Sequence, residues 1–380
     1  MNRPARSLHY ARSSASLPRL LLLVLATAVF SGVTASATPL PTVTGLIPGD
    51  PVKVDGGLIA GKVLPSGVLA YFGVPFAAPP LRDLRWRPPQ PVSDWSGVYN
   101  ADRFAPECIQ SLRGSRQNHY FGNEAISEDC LYLNIWKPAV AHEEPLPVVV
   151  WIYGGAWAVG SSAMRNYSGE FLARKGVIYV SMNYRVGPFG FMAHPELSAE
   201  SPHNASGNFG HLDQVSALEW VKRNIATFGG DPDNVSIIGQ SAGSMSVSSL
   251  QASPLARGLF HRAIGLSGSS VSAAFAGPGT LLDGEKSGLR LQEELKSPSI
   301  TAMRYLPPDD IFNQARESRI RFGPVVDGWF LPRSPYDILT DGSQNDIPLL
   351  IGYTRDEGFS PLARAKNVAE YRELAAQRFD

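Results

Sequence analysis

The sequence has little cysteine and no excess of charge. Only two cysteines, Cys108 and Cys130, occur in 380 residues, and the seven histidines do not cluster with them, so the residues do not support a zinc site. Basic and acidic side chains number 34 each, which argues against nucleic acid or an anionic membrane surface as a partner. After the first 37 residues every apolar run is shorter than ten residues, too short to span a bilayer.

Residues 1–37 predict an export signal. Four arginines and no acidic residue accompany an eleven-residue apolar stretch at residues 20–30, and Ala35-Ser36-Ala37 then offers a cleavage site. Cleavage after Ala37 leaves 343 residues with 30 basic and 34 acidic side chains, a net charge of −4. The protein is therefore predicted to be secreted or periplasmic and free of the membrane after cleavage. A membrane anchor is the alternative interpretation of the same stretch.

Export also affects what the two cysteines are expected to do. The compartments outside the cytoplasm are oxidising, and an even, closely spaced cysteine pair in an exported protein is typical of a disulfide. We therefore expect Cys108 and Cys130 to be bonded to each other.

Short buried strands alternate with helical segments along the chain. Nearly continuous apolar runs predict strands buried on both faces at residues 146–153, 177–184 and 235–238. Apolar residues recur at helical spacing over residues 212–225, and residues 52–71 alternate as in a small antiparallel β-region. Because no repeat or linker interrupts the pattern, residues 38–380 are predicted to form a single α/β domain with a mostly parallel sheet flanked by helices.

The strand predicted at residues 235–238 leads into a Gly-x-Ser-x-Gly sequence centred on Ser241, and residues 244–250 then predict a helix. A strand, a sharp turn and a helix form the nucleophile elbow, in which strained backbone angles hold the serine hydroxyl above the sheet. Gly239 and Gly243 are expected where neighbouring backbone leaves no room for a Cβ. The alternative is a loop that contains the motif by chance.

A small-residue loop ends another of the predicted strands. Gly154-Gly155-Ala156 follows the strand at residues 146–153, and such a loop can bring backbone N–H groups close to a ligand. The carboxyl ends of parallel strands meet at one edge of the sheet, where ligands bind. We therefore expect this loop and Ser241 to lie together.

These segments belong to a longer series of motifs. Eight segments follow one another between about residues 50 and 360: GVPFAAPP, LRWRPPQP, SEDCLYLNIW, VVVWIYGGAW, SMNYRVGPFGF, GNFGHLDQVSALEWVKRNIATFGGDPDNVSIIGQSAGS, GLFHRAIGLSGS and PLLIGYTRDEGF. In sequence and in order they resemble the type-B carboxylesterases, the α/β-hydrolase family that includes carboxylesterases and cholinesterases. The resemblance implies an α/β-hydrolase fold and hydrolysis of carboxylic esters, without a metal or other cofactor.

The resemblance also implies roles for individual residues. Ser241 matches the acylated nucleophile and Glu357 the acidic member of the catalytic triad. The other matches are the backbone donors of the oxyanion hole, the family's first disulfide and a structural ion pair near it: Gly155, Ala156 and Ala242; Cys108 and Cys130; Arg85 and Glu128. Without the resemblance, two alternatives stay open. Glu357 can be an ordinary loop carboxylate, and Arg85 and Glu128 can be solvated surface charges.

The histidine of the triad has no match. In α/β-hydrolases the order along the chain is Ser, then Asp or Glu, then His, whereas no histidine follows Glu357 here. Two of the seven histidines, His211 and His261, fall in structural segments of the family, and His9 lies in the predicted signal. We expect the others in surface loops: His119, His142, His194 and His203. The sequence is therefore expected to be the N-terminal part of a longer esterase. Smaller departures are Gln240 and Tyr153, where family members frequently have Glu and His.

The sequence thus predicts a carboxylic-ester hydrolase that acts on small-molecule esters through a serine acyl-enzyme. A non-catalytic, cholinesterase-like binding protein is the first alternative, and a serine peptidase on the same fold is the second. Intact Ser241, Glu357 and the Gly-Gly-Ala loop favour the hydrolase. The acyl chain, the alcohol and the oligomeric state have no signal in the sequence.

Overall fold

The computed structural model describes residues 47–111, 124–140, 142–271, 277–355, 357 and 361–379. The predicted export signal lies outside these ranges, as do His9, His119 and Asp356. Among the described residues, no helix combines the length and the apolar character that crossing a membrane requires.

The described residues contain fifteen β-strands, most of them short. In chain order they are β1 (Val52–Val54), β2 (Gly57–Ala60), β3 (Lys62–Val63), β4 (Leu69–Pro75), β5 (Val98–Asn100), β6 (Glu107–Cys108), β7 (Ile126–Ser127), β8 (Tyr132–Lys137), β9 (Leu146–Ile152), β10 (Ile178–Met182), β11 (Gly230–Gln240), β12 (Arg262–Leu266), β13 (Gly279–Thr280), β14 (Val325–Val326) and β15 (Leu349–Gly352). The longer strands are rich in β-branched and aromatic residues, which fit a pleated, buried surface.

The same residues contain ten α-helices. They are α1 (Glu170–Ala173), α2 (Gly187–Phe191), α3 (Pro195–Glu200), α4 (Phe209–Asn224), α5 (Ala242–Ala252), α6 (Leu281–Glu294), α7 (Ile300–Arg304), α8 (Pro308–Glu317), α9 (Pro335–Thr340) and α10 (Val368–Phe379). Thr280, Ser299 and Ser334 cap α6, α7 and α9 by accepting backbone N–H groups of the first turn. Beyond α4 a 3-10 turn runs to Phe228, and Gly229 ends it at φ +86°.

Eight strands form the main sheet in the order β15-β12-β11-β9-β10-β8-β4-β3. The five strands from β15 to β10 pair in parallel, and β8, β4 and β3 add to them in antiparallel fashion. Helix α5 packs against β9, β11 and β12, and α1 packs against β8 and β10. This mixed sheet with its packed helices confirms the predicted α/β fold.

The predicted antiparallel β-region near the N-terminus is only partly correct. Strands β1 and β2 form an antiparallel hairpin around Gly56 and Gly57, but β5 joins β2 in parallel. A parallel partner needs a long crossover, and the chain between β2 and β5 provides one by passing through the main sheet as β3 and β4. The hairpin of β3 and β4 therefore extends the main sheet.

The register of the parallel strands brings four chain segments to one edge of the sheet. Ile152 of β9 lies beside Gly239 of β11, and Gln240 lies beside Leu266 of β12. Leu266 in turn lies beside Gly352 of β15. Since parallel strands all end at the same edge, the residues that follow β9, β11, β12 and β15 come together there.

Strand β15 lies at one end of the described sheet and is exposed. Leu349, Leu350 and Ile351 are 46%, 63% and 47% exposed, whereas Val148 and Val150 in β9 are fully buried. An apolar strand with an open hydrogen-bonding edge can pair with another chain. Among the described strands of this sheet, β15 is therefore the one most open to solvent and to pairing with another chain.

Candidate active site

Ser241 lies in the sharp turn between β11 and α5, as predicted. Its backbone angles, φ +56° and ψ −125°, are strained for a residue with a side chain. Its N–H donates to the carbonyl oxygen of Leu266 at 2.9 Å, and its own carbonyl accepts the N–H of Met245 at 3.0 Å. The turn is thereby fixed to β12 on one side and to the first turn of α5 on the other.

The glycines on both sides of Ser241 are required by close backbone contacts, which confirms their predicted role. A Cβ at Gly239 would collide with the backbone carbonyl of Gly243. A Cβ at Gly243 would collide with the carbonyl oxygens of Ile152 and Tyr153 at the end of β9. The elbow therefore fits against β9 only when both positions lack a side chain.

The loop Gly154-Gly155-Ala156 lies directly against Ser241. A Cβ at Gly154 would come within 3.0 Å of the Ser241 Cβ. Gly155 and Ala156 have φ angles of +118° and +56°, so the chain turns back on itself here, and the Gly155 carbonyl accepts the N–H groups of the third and fourth residues after it. The structure thus brings together Ser241 and the loop that sequence analysis expected beside it.

Two tyrosines hold the start of this loop. The Tyr153 hydroxyl donates to the Tyr184 carbonyl at 3.0 Å, the Tyr184 hydroxyl donates to the Tyr153 carbonyl at 2.8 Å, and the rings stack. Burial raises the pKa of Tyr184 well above its usual value, so the hydroxyl stays a donor. Further along the loop, Trp157 donates its indole N–H to Ser246 of α5 at 3.1 Å. The loop is therefore fixed at both ends by side-chain hydrogen bonds.

Glu357 is held at the same edge of the sheet by two hydrogen bonds. Its Oε1 accepts the Ser267 hydroxyl at 2.6 Å and the Thr354 N–H at 2.7 Å. These bonds, Ser267 first, lower the pKa of Glu357, so the carboxylate is ionised at neutral pH. Ser267 is the first residue after β12, next to the Leu266 carbonyl that binds the Ser241 backbone.

Most of the described histidines are placed away from this edge. His261 bonds Val235 in the middle of β11, and His142 and His203 are exposed. His211 is fully buried among aromatic rings.

The prediction that His194 lies in a surface loop is wrong. It is 1% exposed and caps α3, with Nδ1 accepting the Glu196 N–H at 3.1 Å. Its Nε2 therefore donates to Gln292 at 2.8 Å. The proline-initiated helix α3 needed a cap, and the imidazole supplies it.

The predicted disulfide between Cys108 and Cys130 is present. Beside it, Arg85 and Glu128 form a bidentate pair with two 2.6 Å hydrogen bonds, and their side chains are only 4% and 8% exposed. Arg85 also donates to the carbonyl oxygens of Met303 and Leu306 around α7. The pair is therefore buried and joins the disulfide region to α7.

Three features of this region had no separate sequence prediction. Ser267 is one, although its position directly after a strand that ends at the same edge could have indicated it. A second is the buried pair of Arg185 and Asp213, bonded at 2.7 and 2.8 Å, which fixes the start of α4. The third is the contact of Trp157 with Ser246. Only the fold brings the members of the last two pairs together.

Within the described ranges, no group of three or more His, Cys, Asp or Glu side chains is placed to share a metal ion. The groups that converge at this edge are a strained serine, a small-residue loop and an ionised carboxylate. That set is suited to nucleophilic attack on a carbonyl carbon.

The mixed sheet, the elbow after β11 and the loop after β9 define an α/β-hydrolase fold. The chain belongs to the carboxylesterase family, whose sequence profile matches residues 49–378.

Curated relatives are similar over most of this chain. It is 41% identical over 324 residues to a fumonisin B1 esterase of Sphingopyxis macrogoltabida, covering 82% of this chain and 58% of that protein. It is 38% identical over 366 residues to a liver carboxylesterase of Sus scrofa, covering 90% and 62%. It is 41% identical over 317 residues to a cholinesterase of Mus musculus, covering 78% and 51%. The chain thus spans between 51% and 62% of the length of these three relatives.

Proposed function

We propose that this chain carries the nucleophile, oxyanion hole and acidic residue of a carboxylic-ester hydrolase that works through a serine acyl-enzyme. The observation that carries the proposal is the strained turn at Ser241 packed directly against Gly154-Gly155-Ala156. A hydroxyl held in this way beside a loop of backbone N–H groups is suited to attack on an ester carbonyl. Family membership supports the same reaction class.

The chemistry assigns a role to each group. The Ser241 hydroxyl attacks the ester carbonyl carbon, and a base accepts its proton. The N–H groups of Gly155, Ala156 and Ala242 stabilise the oxyanion, and the alcohol leaves with the proton returned by the base. Water then attacks the acyl-enzyme, which releases the acid and restores the serine. Glu357 orients the base and stabilises its protonated form.

We propose that the base is a histidine outside the 380-residue sequence. No histidine follows Glu357, and the buried or distant positions of His194, His211 and His261 give them no role at Ser241. The greater length of the curated relatives supports a histidine further along a longer chain. Without its base the serine hydroxyl is a poor nucleophile at neutral pH, so the 380-residue chain is expected to be nearly inactive.

The proposal is tested with p-nitrophenyl acetate. Turnover is compared between the 380-residue protein, a form extended to include a histidine after Glu357, and Ser241→Ala in the extended form. Ser248→Ala, on the same helix, is the matched control. We expect turnover only in the extended form and its Ser248→Ala variant, with a loss of several powers of ten in Ser241→Ala.

Two results would contradict parts of this proposal. If the short chain hydrolyses the ester as fast as the extended form and Ser241→Ala abolishes the reaction, a histidine inside the chain is the base. If the extended form hydrolyses neither esters nor peptides, the catalytic assignment is wrong and the non-catalytic binding protein of the same fold is favoured instead. A parallel panel of peptides tests the serine peptidase, because a peptidase would cleave amides at a comparable rate.

A further inference from the structure

A cavity of about 150 Å³ lies outside the candidate active site. Three parts of the chain enclose it: residues 86–88, the stretch from α3 into α4, and the turn that follows β14. Its lining includes neither Ser241 nor the Gly-Gly-Ala loop nor Glu357. A dry cavity of about this volume can hold one benzene ring. The cavity therefore has room for a ligand with a single ring.

The inner wall of the cavity is apolar and aromatic. Trp86, Leu197, Phe209 and Leu212 line it, and each is less than 8% exposed. At the opening, His203 stacks on Trp329 with ring centroids 4.1 Å apart and planes 11° apart. Flat rings on two sides of a space of this size favour a ligand with a flat or compact apolar body.

One carboxylate, Asp327, lies within this apolar wall. It is 6% exposed, and its Oδ1 accepts the N–H groups of Trp329 and Leu331 at 3.1 and 2.9 Å. Asn208 donates a further side-chain hydrogen bond to it. A carboxylate has about four acceptor positions, so these three donors leave room for one donor from a ligand in the cavity.

The charges around the cavity favour a cation over an anion. Arg87 at the rim is paired with Glu200 at 3.4 Å, and Glu200 is held further by a bidentate bond to Arg304. Glu200 is therefore shared by two guanidinium groups and offsets the charge of Arg87 only in part, so the preference for a cation comes from Asp327. Asp327 has hydrogen-bond donors around it, but no cation is among the partners that the structure gives it. Burial of a carboxylate with only neutral donors is costly, and a ligand cation would offset that cost.

We infer that this cavity binds a small organic cation, with a single ring or compact alkyl group against Trp86 and Trp329 and one ammonium group hydrogen-bonded to Asp327. Aromatic faces attract cations as well as apolar bodies, which strengthens the preference for an ammonium ligand over a neutral one. The site is separate from the proposed ester hydrolysis and does not depend on it.

The test uses benzylammonium as the probe, with benzyl alcohol and benzoate as neutral and anionic analogues of the same shape. Binding to the 380-residue protein is measured by isothermal titration calorimetry at millimolar concentrations. We expect saturable, one-to-one binding of benzylammonium. Benzyl alcohol is expected to bind at least about tenfold more weakly, because a hydrogen bond to a charged group is stronger than a neutral one, and benzoate is expected not to bind.

Two substitutions locate the site. Asp327→Asn keeps the acceptor for the backbone N–H groups and removes the charge, so benzylammonium affinity should fall about tenfold or more, while benzyl alcohol affinity changes little. Ala205→Leu places a larger side chain in the lining and should weaken all binding. Asp310→Asn, an exposed carboxylate on α8, is the matched control and should leave binding unchanged.

Several outcomes would overturn the inference. No saturable binding of benzylammonium by the unaltered protein is one, and equal or tighter binding of benzyl alcohol or benzoate is another. Unchanged affinity in folded Ala205→Leu would place the ligand elsewhere. If Asp327→Asn fails to fold, Ala205→Leu and the comparison of the three probes still decide the question, because neither needs the aspartate variant.

Discussion

The hydroxyl of Ser267 donates a 2.6 Å hydrogen bond to Oε1 of Glu357. Ser267 follows β12 directly, and the preceding carbonyl, that of Leu266, accepts the backbone N–H of Ser241. One turn of the chain therefore contacts both the proposed nucleophile and the proposed acidic residue. The φ angle of Ser267 is +53°, which residues with a side chain rarely adopt, so the surrounding structure holds Ser267 in an unfavourable backbone conformation.

We predict that Ser267→Ala lowers kcat for p-nitrophenyl acetate about tenfold or more in the extended form, because Glu357 loses a hydrogen bond to its charged state. Losing this bond should also let the pKa of Glu357 rise towards its ordinary value. Ser267→Gly also lacks the hydroxyl but relieves the positive φ, so a matching effect would exclude strain as the cause. Ser248→Ala is the control, and unchanged kinetics in both Ser267 variants would show that Glu357 does not need this bond.

We predict that Glu128→Gln clearly lowers the melting temperature. Arg85 is 4% exposed in its ion pair, and removing one partner of a buried pair leaves the other charge uncompensated at a cost of about 3 kcal/mol or more. Asp233→Asn removes the partner of Lys222 in an exposed pair and should change stability little. Thermal unfolding followed by circular dichroism measures both, and equal melting temperatures for the two variants would contradict the burial of the pair.

We predict that Gly243→Ala destabilises the fold by about 3 kcal/mol or more, because its Cβ would meet the fixed backbone of Ile152 and Tyr153. Gly279→Ala is the control, since a Cβ there meets nothing within 4 Å and its φ is not positive. Denaturant unfolding compares the two variants. A Gly243→Ala protein as stable as Gly279→Ala would mean that β9 and the elbow separate easily.

We predict that Leu350→Lys makes the 380-residue protein more soluble. Leu350 is 63% exposed on the edge strand β15, and a lysine there opposes pairing between strand edges of different molecules. Leu282→Lys is the matched control, because Leu282 is 61% exposed but lies on α6. Light scattering against protein concentration measures the difference. Equal gains from both substitutions would indicate a general effect of charge rather than edge pairing.

The sequence predicts the parallel centre of the sheet and the elbow because both depend on local pattern. The runs within β9, β10 and β11 are nearly continuous and apolar, and the Gly-x-Ser-x-Gly motif itself indicates that the glycines around Ser241 leave room for neighbouring backbone. The Gly-Gly-Ala loop could be placed because parallel strands end at one edge. These features needed no knowledge of distant contacts.

What the sequence could not predict depends on contacts between distant segments. Arg185 and Asp213 are 28 positions apart, and nothing in the residues around them indicates that they form a buried pair. His194 was expected in a surface loop, but its bonds to Glu196 and to Gln292, 98 positions away, allow it to be buried. Asp327 and His203 likewise line one cavity although they are far apart in the sequence.

The final prediction concerns His211, which is fully buried without a described hydrogen bond on either ring nitrogen. It stacks on Phe330 at 4.7 Å and meets Phe191 and Trp157 edge to face. Burial lowers the pKa of His211 to about 3, from 6.5 for a free imidazole. Between these two values the unfolded chain binds a proton that the folded protein does not.

The stability that depends on neutral His211 is therefore complete above about pH 6.5 and is lost as the pH falls towards 3. We predict that His211→Leu, which keeps an apolar side chain of similar size, removes up to about 3 kcal/mol of the destabilisation of the wild-type protein between pH 7 and pH 4. Denaturant unfolding at a series of pH values measures this difference. His142→Leu replaces an exposed histidine and serves as the control. If the pH dependence of His211→Leu equals that of the wild-type protein, the imidazole already reaches a proton acceptor or water in the folded state, and its burial is less complete than the structure indicates.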